Sequence, residues 1–210
     1  MRRVRIIFSK GEGARFLSHL DLISTLEYGL RRARLPVELS EGYNPRPRMS
    51  LAAPLPLGYI GEQEILELAL REPVPADEVL AQLQAALPSG IRIIAVEEMP
   101  VGVKSSASRV SSATYRIELP SSVAGLEERI RTLLARETLE VQEEHDGGIR
   151  VRDIRSLILS LEAIEGNMGL RATVRLDGSG TVRPERLLAL LGMSPEGVRI
   201  VRERIDVAGQ

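Results

Sequence analysis

The chain has 210 residues, of which 43% are hydrophobic and 27% charged, and its net charge is −1, so it has a globular composition and the length for one large or two small domains. It contains no cysteine, which excludes disulfides, cysteine-ligated iron–sulfur clusters and cysteine nucleophiles, and His19 and His145 form no metal-spacing motif, so we expect no resident metal or cofactor. There is no run of about 18 apolar residues and no apolar segment behind the basic N-terminus, so we expect a cytoplasmic protein without a membrane span or export signal.

The first hundred residues alternate between strand and helix signals. Arg3–Phe8 alternates charged and apolar residues and predicts a strand. Ser18, with Asp21 three residues later, predicts a capped helix that Pro36 stops. Further elements are predicted as strands over 48–53, 64–70 and 91–96 and a helix over 75–87. The order βαββαβ indicates a ferredoxin-like α+β sandwich.

The second half repeats this pattern after a serine-rich segment, residues 101–113, that we interpret as a linker. Its elements are predicted as strands over 114–119, 139–144, 149–154, 157–164, 170–176 and 198–204, helices over 123–136 and 184–191, and a turn at Asp146-Gly147-Gly148. A faint internal repeat relates residues 74–83 to 182–191. We therefore expect two tandem ferredoxin-like units, residues 1–100 and 114–210; chance similarity of amphipathic segments is the alternative.

Charge is distributed unevenly along the chain. Residues 1–58 carry ten Lys/Arg against five Asp/Glu, residues 59–100 carry two against eight, and the remainder carries sixteen of each. A basic stretch within a nearly neutral protein indicates one positive face, which is weaker evidence for a nucleic-acid partner than a high overall pI.

A glycine loop precedes the first helix and carries two cations, Lys10 and Arg15. Because helix N-termini offer unpaired amides, this loop and Ser18 form a candidate phosphate contact. A plain strand–helix turn is the alternative, since the loop lacks both the P-loop and the dinucleotide-binding spacing.

His19 is the only histidine in the basic half and has two interpretations. It can contact a phosphate or act as a general base, or it can simply hydrogen-bond at the start of the helix. Arg31 and Arg32, in the last turn of that helix, extend the candidate set of cations.

Residues 40–48, S-E-G-Y-N-P-R-P-R, form a proline-rich loop that we call the proline loop. Prolines hold a backbone extended, so Arg46 and Arg48 are expected to point the same way, roughly 6–7 Å apart, like successive phosphates. Tyr43, beside Asn44, can stack on a base. The alternative is a rigid connection whose tyrosine folds onto the domain.

Two other features limit the options. Aromatic residues are 3% of the chain, so the sheet cannot stack bases as an RRM does, and RNA would bind through loops.

The second half carries three closely spaced arginines, Arg150, Arg152 and Arg155. We interpret them as a solvated surface whose counterions include Glu143, Glu144 and Asp146. Asp153 is a candidate for fixing a turn.

Four stretches together resemble the radical-SAM-linked domain-of-unknown-function family 2344. These are F-L-S-H-L-D-L (16–22), L-R-R-A-R-L-P (30–36), S-E-G-Y-N-P-R-P (40–47) and P-L-P-L-G (54–58), with D-I-R-S-L-I (153–158) in support. The resemblance implies a radical SAM enzyme as partner, either as a separate chain or as a fused domain. The motif residues present here are Ser18, His19, Asp21, Gly42, Tyr43, Asn44, Pro45 and Pro47. The first motif is also similar to that of CRISPR repeat-processing endoribonucleases.

The leading hypothesis is a non-catalytic, RNA-binding accessory of a radical SAM enzyme, in RNA modification or ribosome-related metabolism. It requires Lys10 and Arg15 to converge with Arg46 and Arg48 on one concave surface. The alternatives are a protein–protein adaptor without RNA contact and a metal-independent endoribonuclease that uses His19.

Overall fold

The computed structural model describes residues 2–145 and 148–209 and divides into two compact units. Unit 1 runs to Val110 and takes up the chain again from Arg202, and unit 2 is Ser111–Val201. The described residues form four α-helices and mostly antiparallel strands, so the predicted α+β class is confirmed. None of the helices in these ranges is both long and apolar enough to cross a membrane.

Unit 1 contains a sheet whose strands are connected along the chain by two helices. Its elements are β1 (Arg2–Lys10), α1 (His19–Arg32), β2 (Met49–Leu51), β3 (Ile60–Leu70), α2 (Ala76–Ala86) and β4 (Ile91–Glu98). The strand order is β4-β1-β3-β2, and each neighbouring pair is antiparallel. The last strand of the chain, β11 (Arg199–Val207), enters unit 1 at Arg202 and lies beside β3 there.

The core of unit 1 lies between one face of the sheet and the two helices. The apolar side chains that alternate along β1 are buried against α1 and α2, as the sequence pattern predicts. At Gly29 of α1, an added Cβ would lie 2.5 Å from Cδ2 and 3.2 Å from Cγ of Leu87, the residue that follows α2. A side chain at residue 29 would therefore force Leu87 or the helices to shift.

Unit 2 is built around the long strand β9. Its elements are β5 (Val110–Glu118), α3 (Leu126–Leu134), β6 (Glu140–His145), β7 (Gly148–Asp153), β8 (Ile158–Ile164), β9 (Gly169–Asp177), β10 (Gly180–Thr181) and α4 (Pro184–Leu190). β9 pairs with β5, β8 and β10. β6 and β7 form the predicted hairpin, although Asp146 and Gly147 of its turn and the side chains of Glu143 and Glu144 lie outside the described residues.

The segment interpreted as a linker is packed onto unit 1. Ser106 is fully buried within a short 3-10 helix, and its amide donates to the buried carboxylate of Glu67 at 2.6 Å. Arg3 donates to the carbonyl of Val103 at 2.6 Å. The segment packs there because the buried carboxylate of Glu67 needs hydrogen-bond donors, and the amide of Ser106 supplies one. Unit 1 accordingly extends to Val110.

We predict that Gly29→Ala lowers the free energy of unfolding by about 1–3 kcal/mol, because overpacking forces the helices apart. Urea unfolding followed by circular dichroism measures this change. Ser24→Ala, at an exposed position of the same helix, is the matched control and should be neutral or slightly stabilising. Equal stability of the two variants would refute the close helix contact.

Candidate functional site

The proline loop is closed onto itself rather than extended. Leu39 bridges to Pro47, the amide of Ser40 donates to the carbonyl of Arg46 at 2.8 Å, and the amide of Arg46 donates to Oγ of Ser40 at 3.0 Å. The expectation of an extended segment is thus corrected, because Ser40 supplies both a donor and an acceptor that close the loop. Tyr43 lies between the two paired ends of the loop, and its side chain is 99% exposed.

The start of α1 is fixed by the predicted capping box. The Asp21 amide donates to Oγ of Ser18 at 3.1 Å, and the Ser18 amide and hydroxyl donate to the Asp21 carboxylate at 3.2 and 2.7 Å. The hydroxyl and amide of Ser18 hold the pKa of Asp21 below its usual value. Ser18 is therefore explained by capping, and His19 becomes the first residue of the helix.

His19 and Arg46 come together on one pocket of about 290 Å³, which we call the His19–Arg46 pocket. Its other polar lining residues are Glu27 and Ser50, and its apolar lining residues are Ile23, Pro47, Met49, Leu51 and Pro54. Nδ1 of His19 is buried and makes no hydrogen bond among the described residues. The pocket therefore combines a cation, an imidazole and a carboxylate with apolar walls.

Lys10 is an interior residue. Its side chain is fully buried, and its ammonium donates to the carbonyls of Arg15 at 3.1 Å and Leu17 at 2.9 Å. Burial lowers the pKa of Lys10, with Glu64 opposing the shift and Arg202 adding to it. Lys10 is withdrawn from solvent, so its predicted phosphate contact is corrected to a structural role.

The glycine loop is explained by packing. The amide of Gly11 donates to the carbonyl of Gly90 at 2.8 Å, and a Cβ added at Gly90 would lie 2.8 Å from the amide nitrogen of Ala14. Arg15 pairs with Glu12 at 2.8 Å. The loop thus matches the plain strand–helix turn that was the alternative.

The remaining candidate cations are separated from one another. Arg48 pairs with Glu38 at 2.6 Å and lines a different pocket from Arg46, so the two do not point the same way. Arg31 and Arg32 are exposed at the end of α1, with no acidic partner in the described part of the chain. The predicted convergence of Lys10 and Arg15 with Arg46 and Arg48 is therefore not found, and of these four cations Arg46 alone lines the pocket, where it meets His19.

Sequence reasoning missed a buried ion pair between Glu64 of β3 and Arg202 of β11. Nε and Nη2 of Arg202 donate to the two carboxylate oxygens of Glu64 at 2.8 and 2.5 Å, and both side chains are at most 2% exposed. The same guanidinium donates to the carbonyls of Pro54 at 3.0 Å and Ala53 at 3.3 Å. An added Cβ at Gly61 would lie 2.6 Å from the Glu64 side chain, so the glycine leaves room for the pair.

These buried charges hold two edges of the His19–Arg46 pocket. The ammonium of Lys10 fixes the carbonyls of Arg15 and Leu17, just before the helix that begins at His19. The buried ion pair fixes the carbonyl of Pro54, which lines the pocket. The pocket is therefore positioned from inside the protein.

The hairpin region of unit 2 is accounted for structurally. The Asp153 carboxylate accepts from the amides of Leu139 at 2.8 Å and Arg155 at 2.9 Å, so it fixes the predicted turn. Arg155 donates to the carbonyl of Leu134 at 2.9 Å, and Arg152 donates to the carbonyl of Ser179.

The His19–Arg46 pocket is the candidate site because residues of two motif stretches meet there. A larger groove of about 630 Å³ in unit 2 is lined by Arg183 and Arg186 among others and contains Ile154 of the D-I-R-S-L-I stretch, but none of the motif residues of unit 1. Within residues 2–145 and 148–209, no group of three or more His, Asp or Glu side chains is arranged to hold a metal ion.

Fold and pocket define an α+β protein with a small, partly cationic pocket beside a closed proline loop. The chain belongs to the bacterial family described as "Uncharacterized protein conserved in bacteria", domain-of-unknown-function family 2344, whose model matches residues 3–184. Comparison with curated proteins gave no match. The match includes both segments that form the pocket.

We predict that Ser18→Ala raises the pKa of Asp21 toward its usual value, because the variant lacks the hydroxyl that hydrogen-bonds the carboxylate. Carboxyl chemical shifts followed by NMR as a function of pH measure it. The lowered pKa means that the capping box stabilises the fold above the unfolded-state pKa of Asp21. That stabilisation is lost as pH falls through the folded-state value.

The control for this titration is Asp177 in unit 2, whose pKa is lowered by Ser179 and should not move in Ser18→Ala. An unchanged Asp21 titration in that variant would show that Ser18 is not the cap.

Proposed function

We propose that this chain is a non-catalytic accessory protein of a radical SAM enzyme, and that it holds an RNA substrate at the His19–Arg46 pocket. The setting we propose is RNA modification or ribosome-related metabolism. The observation that carries the proposal is that residues from two distant motif segments, His19 and Arg46, line one pocket.

The chemistry of the pocket suits one nucleotide of a single strand. Arg46 supplies a cation for a phosphate, and the imidazole of His19 lines the same pocket beside it. Apolar lining residues such as Ile23 and Met49 suit the face of a base, and Glu27 can accept from an N–H on the edge of that base. Tyr43 is available for stacking on a neighbouring base.

Further cations support contact with a polyanion. Arg31 and Arg32 end α1, and Arg34 follows with a left-handed φ of 55°. All three are exposed, and α1 carries His19 at its other end. A strand held at His19 therefore has more cations available along the same helix.

The radical SAM partner is supported by the family resemblance and by composition. A radical SAM reaction needs a cysteine-ligated iron–sulfur cluster, and this chain has no cysteine. The cluster would therefore belong to the partner enzyme, which we propose to be a separate chain. We assign no cofactor to the present chain.

We further propose that each unit is a ferredoxin-like fold. In unit 1 this is supported by the element order βαββαβ and the antiparallel strand order β4-β1-β3-β2. In unit 2 it is supported by the faint internal repeat, since residues 74–83, which contain the start of α2, resemble residues 182–191, which contain α4.

A second candidate function is the protein–protein adaptor. The observation that favours it is a set of large exposed apolar side chains close to the start of α1, namely Phe16, Leu20 and Leu57. Phe16 and Leu57 flank a hydrogen bond from the amide of Gly58 to the carbonyl of Arg15, at 2.9 Å. Because Arg15 and Arg48 are already paired, this apolar set competes with the cations as the main contact surface.

We predict that the chain binds single-stranded RNA fragments and that binding weakens steeply as salt rises. Arg46→Ala should weaken binding at least about tenfold, since a charge-assisted contact contributes roughly 1.5–3 kcal/mol. Fluorescence anisotropy against tRNA and ribosomal RNA fragments, over a series of salt concentrations, measures both effects.

The matched control for this prediction is Arg92→Ala. Arg92 is exposed on β4 and lines neither of the unit 1 pockets described here. Absence of RNA binding even at low salt would contradict the proposal. In that case, co-purification of the partner enzyme that survives nuclease and high salt but is lost in Leu20→Ser would establish the adaptor instead. Cleavage of RNA in EDTA that is abolished by His19→Ala would establish the endoribonuclease.

A further inference from the structure

A second pocket in unit 1, of about 420 Å³, adjoins the His19–Arg46 pocket. Its polar lining residues include Arg3, Arg48 and Ser105, and we call it the Arg3–Arg48 pocket. Met49 and Ser50 of β2 line both pockets. The two pockets therefore lie on either side of these two residues.

Arg3 is held in a fixed position at the Arg3–Arg48 pocket. Its guanidinium donates to the buried carboxylate of Glu67 at 2.5 Å and to the carbonyl of Val103 at 2.6 Å, and its side chain is still 31% exposed. The other oxygen of Glu67 accepts from the amide of Ser106. The carboxylate is thus satisfied from within the protein, and the cation beside it is preorganised for a ligand.

The other groups at the Arg3–Arg48 pocket are suited to phosphate. The side chain of Arg48 is 53% exposed although Nη1 is paired with Glu38, so the guanidinium has further donors that can reach a phosphate. Ser105 offers a hydroxyl. Lys104, next to it in sequence, is exposed and has no acidic partner in the part of the chain that the structure describes.

We propose that the bound RNA continues from the His19–Arg46 pocket across Met49 and Ser50 into the Arg3–Arg48 pocket, so that unit 1 holds at least two successive nucleotides of a single strand. This inference rests on the proposed function. It adds Arg3, Lys104 and Ser105 to the binding surface. Two small adjoining pockets accommodate single bases and the phosphate between them, whereas a duplex presents its bases already paired and stacked.

The test compares fluorescently labelled uridine monophosphate with a labelled tetrauridylate, using the full chain. The wild type should bind the tetranucleotide at least about tenfold more tightly, the gain expected from one further stacked or phosphate-contacted nucleotide. Ser105→Glu and, separately, Lys104→Glu should remove most of that gain. Arg48→Ala should reduce the slope of log affinity against log salt by about 0.7.

Controls separate this inference from the proposed function. Ser89→Glu, exposed between α2 and β4, introduces the same charge away from both pockets and should bind the tetranucleotide like the wild type. Wild-type tetranucleotide affinity in both Ser105→Glu and Lys104→Glu, with binding still sensitive to Arg46→Ala, would overturn the continued path alone. No binding of either RNA by the wild type would overturn both proposals, as would equal competition by an acidic peptide.

Discussion

The architecture of unit 1 depends on three charges enclosed in its interior, Lys10, Glu64 and Arg202. Removing charges from water is unfavourable by several kcal/mol each, and only good geometry and further hydrogen bonds offset that cost. Here the Arg202 guanidinium and the Glu64 carboxylate form a bidentate ion pair. Both cations, Lys10 and Arg202, also donate hydrogen bonds to backbone carbonyls. A buried arrangement of this kind adds less to net stability than an apolar core would, but it fixes which carbonyls lie where. We infer that its main contribution is positional.

That positional role connects the fold to the candidate site. The carbonyls held by Lys10 belong to the chain leading into α1, and those held by Arg202 belong to the segment that lines the other side of the His19–Arg46 pocket. The proline loop adds Arg46 through its own closure at Ser40. A pocket whose walls are fixed from the core can hold one nucleotide in a defined orientation, which is what a substrate-holding accessory requires. The same rigidity would serve a protein partner, so binding experiments decide between the two ligands.

The sequence predicted the elements better than the side-chain environments. Alternation along β1, the Ser18–Asp21 capping box and the hairpin of β6 and β7 were foreseeable, because each is a local pattern. The observed start of a helix differs from the predicted one where the backbone turns left-handed. Gly125, with a φ of 68°, precedes α3, which therefore begins later than the predicted residue 123. The burial of Lys10 and Arg202 was not foreseeable, since a charged residue in a strand looks the same whether it faces solvent or a distant partner. The partnership of Glu64 and Arg202 joins residues 138 positions apart, and no local signal encodes it.

The most direct test of the central claim is hydrogen–deuterium exchange of Glu64→Gln, which keeps the side-chain shape and removes the charge shared by Lys10 and Arg202. Glu162→Gln, from the exposed pair with Arg171, is the matched control. We expect faster exchange in residues 15–20 and 51–58 of Glu64→Gln, while β9 of this variant keeps wild-type protection. The control variant should show wild-type protection throughout. Wild-type exchange in both segments of Glu64→Gln would show that the buried charges do not position the pocket.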